Sequence, residues 1–390
     1  MRHKASVPLA LLIAGGVALA ASRSVASLDA QARGQNAPPA FDVDRMWPKP
    51  LPNHWILGSI TGLSVDSQDH VWIVHRGLES LTARTEAGTG TTPPTAEDCC
   101  APAPPVLEFD AAGTLVGSWG GPGQGFDWPV SPGGIEVDAK GNVWITAAGV
   151  PDVPATVPNP AGAAGGGRGG GGRGAATPPK PADAHVLKFT RDGKFVLQIG
   201  KAGEAGPKDS TTGLDKPADI AVDATAGEVY VADGGTHQRI AVFDAASGAF
   251  KRQWTGHGSE FGRISCVALS KDGLVYVCDR KNDRIQVFKK DGTFVREAFV
   301  AKATMLAGSV WDVTFSNDAP QRFAFVADGQ NDKIWVLDRY TLDTVGNFGD
   351  VGGWPGTFRL VGSIGMDSKG NLYTGETFEG KRVQKFIIKK

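Results

Sequence analysis

Arginines and carboxylates recur at matched places along this chain, and those two types together can grip an anion or a hard cation. Arg76 and Arg280 each follow a short aliphatic run, in Val74-His75-Arg76-Gly77 and Cys278-Asp279-Arg280-Lys281. A guanidinium offers a planar fork of donors that fits a carboxylate bidentately. Asp233, Asp328 and Glu376 stand at the equivalent ends of other runs. Asp219 and Asp312 open runs of their own and, with backbone carbonyls, could ligate a cation such as calcium. Each has a plainer alternative: the aspartates can accept hydrogen bonds from neighbouring amides, and the string from Asp279 to Arg284 can tie strands together by local salt bridges. His237 and His257 share that end of the pattern without a third ligand in view. No Gly-x-Ser-x-Gly, His-Glu-x-x-His or Cys-x-x-Cys-His pattern is present.

These positions are defined by a unit that recurs six times. Its core reads aliphatic-x-aliphatic-Asp, a turn with Gly, then an aliphatic and aromatic run. The copies begin at Gly62, Gly134, Asp219, Cys266, Asp312 and Ser363. A second strand pair follows in the first five copies, closed by an Asp-Gly or Ser-Gly turn in copies two to four, as in Arg284-Ile285-Gln286-Val287-Phe288 before Lys289-Lys290-Asp291-Gly292. Alternation closed by such turns is a hairpin signal. A hairpin repeat cannot bury its apolar side alone, so the copies must stack, and all-β copies stacked about an axis make a propeller. The expected fold is all-β, a six-bladed β-propeller of four-stranded blades over residues 40–390. The sixth copy ends after three strands, and Phe41-Asp42-Val43-Asp44-Arg45 is expected to supply the fourth and leave no raw edge. Insertions at 78–104 and 147–184 separate the second and third strands of copies one and two. Both overhang the mouth, where the first inner positions are Thr61, Gly133, Ala218, Ser265, Trp311 and Gly362.

The chain has 390 residues, of which 41% are hydrophobic, ample for one large β domain. Its formal net charge of −1, with no basic stripe, argues against nucleic acid as a partner. Arg2, His3 and Lys4 precede an apolar run with small residues after it, so residues 1–26 are expected to be a signal peptide and 27–39 a disordered lead-in. The mature protein is then expected to be secreted or periplasmic and off the membrane. Four cysteines suit an oxidising compartment. Cys266 faces Cys278 if the intervening turn has three residues, within disulfide reach. Cys99 and Cys100 are adjacent and could bridge each other or elsewhere.

The unit resembles the NHL repeat. Val74-His75-Arg76-Gly77, Lys216-Pro217-Ala218-Asp219, Cys278 to Gln286 and Arg382-Val383-Gln384-Lys385-Phe386 make the whole stretch from Phe41 to Lys390 similar to the peptidyl-α-hydroxyglycine α-amidating lyase family. The resemblance implies a six-bladed propeller with three zinc-binding histidines, a calcium-binding Asp and a tyrosine base at its mouth. Here Gly133, Ser265 and Gly362 stand at the histidine positions, Ser363 at the Asp and Gly235 at the tyrosine. None of the three can serve zinc as imidazole does. Arg76 and Arg280 remain where the resemblance implies substrate-holding arginines. No cofactor is therefore expected beyond a possible calcium. The favoured function is binding of a small anionic ligand, peptide or protein partner at the mouth. The alternative is a lyase-like or hydrolase-like enzyme with rearranged residues at the same place.

Overall fold

The repeated aspartate explains itself in the first turn of the blades. In the computed structural model, which describes residues 37–81, 86, 88–149 and 183–389, Asp66 Oδ1 accepts the amides of Gln68 at 2.8 Å and His70 at 3.0 Å. Its Oδ2 accepts Trp72 Nε1 at 3.1 Å. Asp138 does the same with Lys140, Asn142 and Trp144, and Asp367 with Lys369, Asn371 and the Tyr373 hydroxyl. The carboxylate thus closes the turn between the first two strands, and the aromatic two-thirds of the way along the motif locks it in place. Side chains that bond their own turn amides favour this geometry.

Six antiparallel sheets of four strands result. Taking the strands of each blade as A to D from the axis outward, blade 1 is Ser59–Val65, Val71–Arg76, Val106–Phe109 and Leu115–Trp119. Blade 2 is Pro132–Val137, Val143–Ala147, His185–Phe189 and Phe195–Gly200. Blade 3 is Pro217–Asp223, Glu228–Asp233, Arg239–Asp244 and Phe250–Trp254. Blade 4 is Ile264–Leu269, Leu274–Asp279, Arg284–Lys289 and Phe294–Phe299. Blade 5 is Asp312–Phe315, Phe323–Asp328, Lys333–Asp338 and Thr344–Phe348. Blade 6 takes Val361–Met366, Leu372–Glu376 and Val383–Ile388 from the end of the chain, and Phe41–Asp44 from near its start. That closing strand pairs Phe41 with Ile388 and Val43 with Phe386.

Six apolar clusters fill the gaps between successive blades, one per gap. The A strands of neighbouring blades pack side by side all the way round, blade 6 against blade 1 included. The four cysteines form two disulfides: Cys266 faces Cys278 across blade 4 as the turn length implied, and of the alternatives open to Cys99 and Cys100 they take the bond to each other in the first insertion. Residues 1–26, expected to be a signal peptide, the expected lead-in up to residue 36 and the glycine-rich part of the second insertion lie outside the described residues. No helix among the described residues is long and apolar enough to cross a membrane.

Phe325 sits fully buried between blades 5 and 6, edge-on to Phe41 of the closing strand at 5.7 Å. Phe325→Ala leaves a cavity at the seam where the ring is joined and is expected to cost about 3–5 kcal/mol. Denaturant unfolding of the two proteins checks this, and an unchanged midpoint would contradict the role given to the seam.

Candidate functional site

One position at or near the start of every inner strand faces the axis, and there the six blades make a shallow mouth. Thr61, Gly133, Ala218, Ser265, Trp311 and Gly362 all line it, as their place in the repeat requires. Five are small, so the axis stays open above them, and the pocket encloses about 110 Å³. Arg76, Arg263 and Arg280 form its charged wall, with Thr377 and Phe378 of blade 6 opposite.

Each arginine is held from behind. Arg76 ends strand B of blade 1, next to His75. Burial pushes the His75 imidazole down to about 4, so it is neutral. Its Nδ1 accepts the Gly58 amide at 3.2 Å, which leaves the proton on Nε2 to be donated to the Pro104 carbonyl at 2.9 Å. This neutral bridge ties the end of the first insertion to the strand that carries Arg76. Burial, countered by the Glu79 charge, lowers the Arg76 guanidinium to about 10, so it remains a cation at neutral pH. Its Nε is buried without a hydrogen-bond partner, and its guanidinium lies 5.9 Å from the Phe378 ring centre. Arg280 donates from Nε to the Ala307 carbonyl at 2.6 Å and stacks flat on Trp311 at 3.8 Å. Stacking on an indole fixes the plane of the fork while leaving its outer edge to the pocket.

Three other sequence-predicted carboxylates do not reach this pocket. Asp233 is fully buried, accepting the Asp215 amide at 2.6 Å and pairing with His237 at 2.7 Å and Arg239 at 2.9 Å. Asp328 accepts Asn331 and Trp335 side chains at 2.7 and 2.9 Å. Glu376 is taken up by Arg382, Gln384 and the Arg359 amide. The expectation that these three face a ligand is therefore corrected: each clamps the end of strand B to the start of strand C in its own blade. Asp279 does the same through Arg284 at 2.7 Å, and of its string only Arg280 turns to the mouth.

Asp219 and Asp312 are also displaced from where they were expected. They line a separate cavity of about 250 Å³ deeper along the axis, with Glu136 as a third carboxylate. Asp219 accepts the Val267 amide of blade 4 at 3.0 Å, and Asp312 the Ile364 amide of blade 6 at 2.8 Å. Glu136 accepts the Ser64 hydroxyl of blade 1 at 3.1 Å. No Lys, Arg or His lines this cavity. Burial first, and the Asp219 charge second, push Glu136 up to about 8, and both aspartates are raised by the same burial. Asp219 and Asp312 bring carboxylate oxygens within reach of one cation, together with Cys266, whose sulfur is bonded to Cys278; Glu136 stands outside that group. Sequence reading missed Glu136, although the middle x of the motif supplies one residue per blade to this cavity and Glu136 is the one charged residue among Ser64, Ala221, Ala268, Thr314 and Gly365.

Among described residues no imidazole, thiol or carboxylate lines the mouth pocket. The zinc that the lyase resemblance implies does not fit Gly133, Ser265 and Gly362, whose side chains offer no ligand of the needed kind.

Comparison with known proteins then places the chain. The NHL repeat pattern matches residues 214–243 and 261–288, which span blades 3 and 4. Those two blades carry NHL repeats within a six-bladed β-propeller. The chain is 30% identical over 221 residues to human NHL repeat-containing protein 3, covering 52% of this chain and 58% of that one. It is 26% identical over 258 residues to rat peptidylglycine alpha-amidating monooxygenase, covering 62% of this chain and 22% of that one. The matched stretch thus spans little more than half of the first of these relatives. Among solved structures, a Bacteroides thetaiotaomicron protein of unknown function superposes with a TM-score of 0.52 at 16% identity, over 86% of this chain and 70% of that one. That likeness concerns the propeller fold alone.

The axial carboxylates of this NHL propeller make its stability depend on pH. A carboxyl raised in the folded state holds a proton that the unfolded chain releases, so stability falls as pH climbs from the ordinary value of 4.5 towards about 8. Glu136→Gln removes that loss. The variant is expected to gain about 1–2 kcal/mol over the parent at pH 8 and little at pH 4. Urea unfolding at both pH values checks it; a variant less stable at pH 8 would show that Glu136 is ionised and held by a cation.

Proposed function

We propose that this propeller is an exported binding protein that captures an anionic ligand, a carboxylate in the simplest case, at the mouth of its axis. One observation carries the reading: Arg76 presents a guanidinium whose buried Nε has no protein partner, in a pocket that also receives Arg263 and a Trp-stacked Arg280. A buried donor left unmade is costly, and a bound carboxylate would satisfy it. The arginines converge from blades 1 and 4 and from the connection entering blade 4, so a ligand is gripped across the axis rather than at one edge. Charge-assisted pairs of this kind are about twice as strong as neutral ones.

Binding is favoured over catalysis by what else lines the pocket. Thr61, Ser265 and Thr377 are its other polar side chains, and none has a base within the pocket to activate it. The likeness to the amidating monooxygenase supports the scaffold and the arginines, while the residues at the zinc, calcium and base positions argue against the same chemistry. A calcium ion, if the protein carries one, belongs with Asp219 and Asp312 in the deeper cavity, where it would brace the hub. Export to the periplasm or beyond is supported by the basic-then-apolar start of the sequence and by two disulfides. The partner is accordingly an extracytoplasmic small anion, peptide or protein, and nothing in the charge pattern suits nucleic acid.

Titration with N-acetylglycine, followed by calorimetry, tests the reading. The parent is expected to bind, more weakly as salt rises, and Arg76→Gln or Arg280→Gln to lose at least about tenfold in affinity. Circular dichroism establishes that the variants remain folded. Absence of binding to the parent, or parent-like binding by both variants, would overturn it.

A further inference from the structure

The two disulfides of this protein differ in reach. Cys266 and Cys278 are both fully buried in blade 4, where they join its two inner strands. Cys99 and Cys100 lie in the first insertion, Cys99 exposed and Cys100 half-buried. Thiol–disulfide exchange needs an attacking thiolate to reach a sulfur. The Cys99–Cys100 pair offers that with every blade intact, and the Cys266–Cys278 pair does not.

What hangs on the exposed pair is the return of the insertion to the propeller. Directly after Cys100, Ala101 and Pro102 pair with Trp55 and Ile56. The Ala101 amide donates to the His54 carbonyl at 3.1 Å, and the Ala103 amide to the Ile56 carbonyl at 3.0 Å. Ala103 is buried in the cluster that holds Trp47, Ile60 and Leu107. Pro104 then offers its carbonyl to His75 Nε2 at 2.9 Å, next to Arg76. On the other side, Gly88 lies so close to Cys99 that a Cβ there would meet the Cys99 carbonyl oxygen at 1.6 Å. The Gly88 carbonyl accepts the Thr95 amide at 2.8 Å, which closes the loop carrying the pair. A bond between adjacent residues removes much of the freedom their backbone would otherwise have. The pair is thus a rigid corner from which residues 101–104 set out.

We propose that Cys99–Cys100 is a thiol-exchange site, and that its reduction by a dithiol releases residues 101–104 from the propeller. One thiolate of the dithiol attacks the exposed Cys99 sulfur. The S–S bond breaks, and Cys100 leaves as a thiolate that takes up a proton. The second sulfur of the dithiol, as thiolate, then attacks its own partner sulfur in the mixed disulfide and expels Cys99. Two electrons pass to the protein, the dithiol becomes a disulfide, and its two protons end on the cysteines. A single thiol is a poorer partner, because the freed Cys100 stands beside the mixed disulfide and displaces it. With residues 101–104 released, the His75 bridge loses its acceptor, and the strand that ends in Arg76 loses its brace. The exchange site stands on its own; its effect on a ligand rests on the mouth reading.

Dithiothreitol titration of the folded protein, with differential alkylation and mass spectrometry, tests the site. Cys99 and Cys100 are expected to be alkylated at concentrations that leave Cys266 and Cys278 joined. Hydrogen exchange follows the release: the Ala101 and Ala103 amides are expected to exchange at least about tenfold faster after reduction, with blade 4 unchanged. Cys99→Ser/Cys100→Ser is expected to exchange like the reduced parent and to ignore dithiothreitol. Calorimetry with N-acetylglycine is expected to show binding to the reduced protein weakened by at least about threefold. Loss of both disulfides together, or of neither, overturns the site. Unchanged exchange at Ala101 and Ala103 overturns the release. If N-acetylglycine binds the oxidised and reduced proteins alike, the coupling to the mouth is wrong. If it binds neither, the mouth reading fails and the exchange site stands.

Discussion

Six inner strands meeting at one axis have backbone and side-chain polar groups that no neighbour in their own blade can satisfy. The structure resolves this with at least one side-chain hydrogen bond across every blade boundary. Ser64 donates to Glu136 between blades 1 and 2, and Thr146 to the Ala218 carbonyl between 2 and 3. Asp219 accepts the Val267 amide between 3 and 4, and Ser265 donates to the Val310 carbonyl between 4 and 5. Asp312 accepts the Ile364 amide between 5 and 6, and Ser59 donates to the Phe378 carbonyl between blades 1 and 6. Such bonds are worth more in a low-dielectric interior than at the surface, and leaving any one unmade is penalised there. The ring of apolar clusters supplies most of the cohesion; the ring of polar stitches fixes the register of blade against blade.

Once these stitches are in place, the charges that remain at the axis are sorted by depth. Three carboxylates line the deep cavity without a cationic side chain, and three arginines line the mouth without a carboxylate. Had the two sets met, they would have formed salt bridges and closed the axis. The mouth therefore presents three guanidiniums, with the Glu79 charge countering that of Arg76. The price of that arrangement is carboxyls held inside the hub above their usual range.

Much of this is legible in the residues alone, because the repeat ties each position to a place in a blade. The aspartate of the motif and the aromatic six residues on, as in Asp66 and Trp72, mark the turn between strands A and B. The six first inner positions were correctly assigned to the mouth, and the facing of Cys266 and Cys278 follows from turn length. Closure by Phe41–Asp44 follows from a blade one strand short. The carboxylates at the ends of strand B were harder. Residue type at Asp233, Asp328 and Glu376 does not say whether the side chain turns to the axis or to the start of strand C. Their partners, Arg239 and Arg382 six residues downstream and Asn331 three residues on, are visible in the sequence once that clamp is known. Arg263 was missed because it lies in a connection between blades, where period-two alternation stops. The depth of Asp219 and Asp312 depends on a bulge-like register shift in strand A of blade 3 and on neighbouring backbone amides, neither of which leaves a mark in composition.

The central claim is that the mouth arginines are an anion site rather than part of the packing. A crystal structure of the protein grown with N-acetylglycine measures this directly. The account predicts density for the carboxylate within hydrogen-bond distance of both Arg76 and Arg280, over the edge of Trp311. A mouth that stays empty of ligand, with Arg76 swung away into a salt bridge with Glu79, would contradict it.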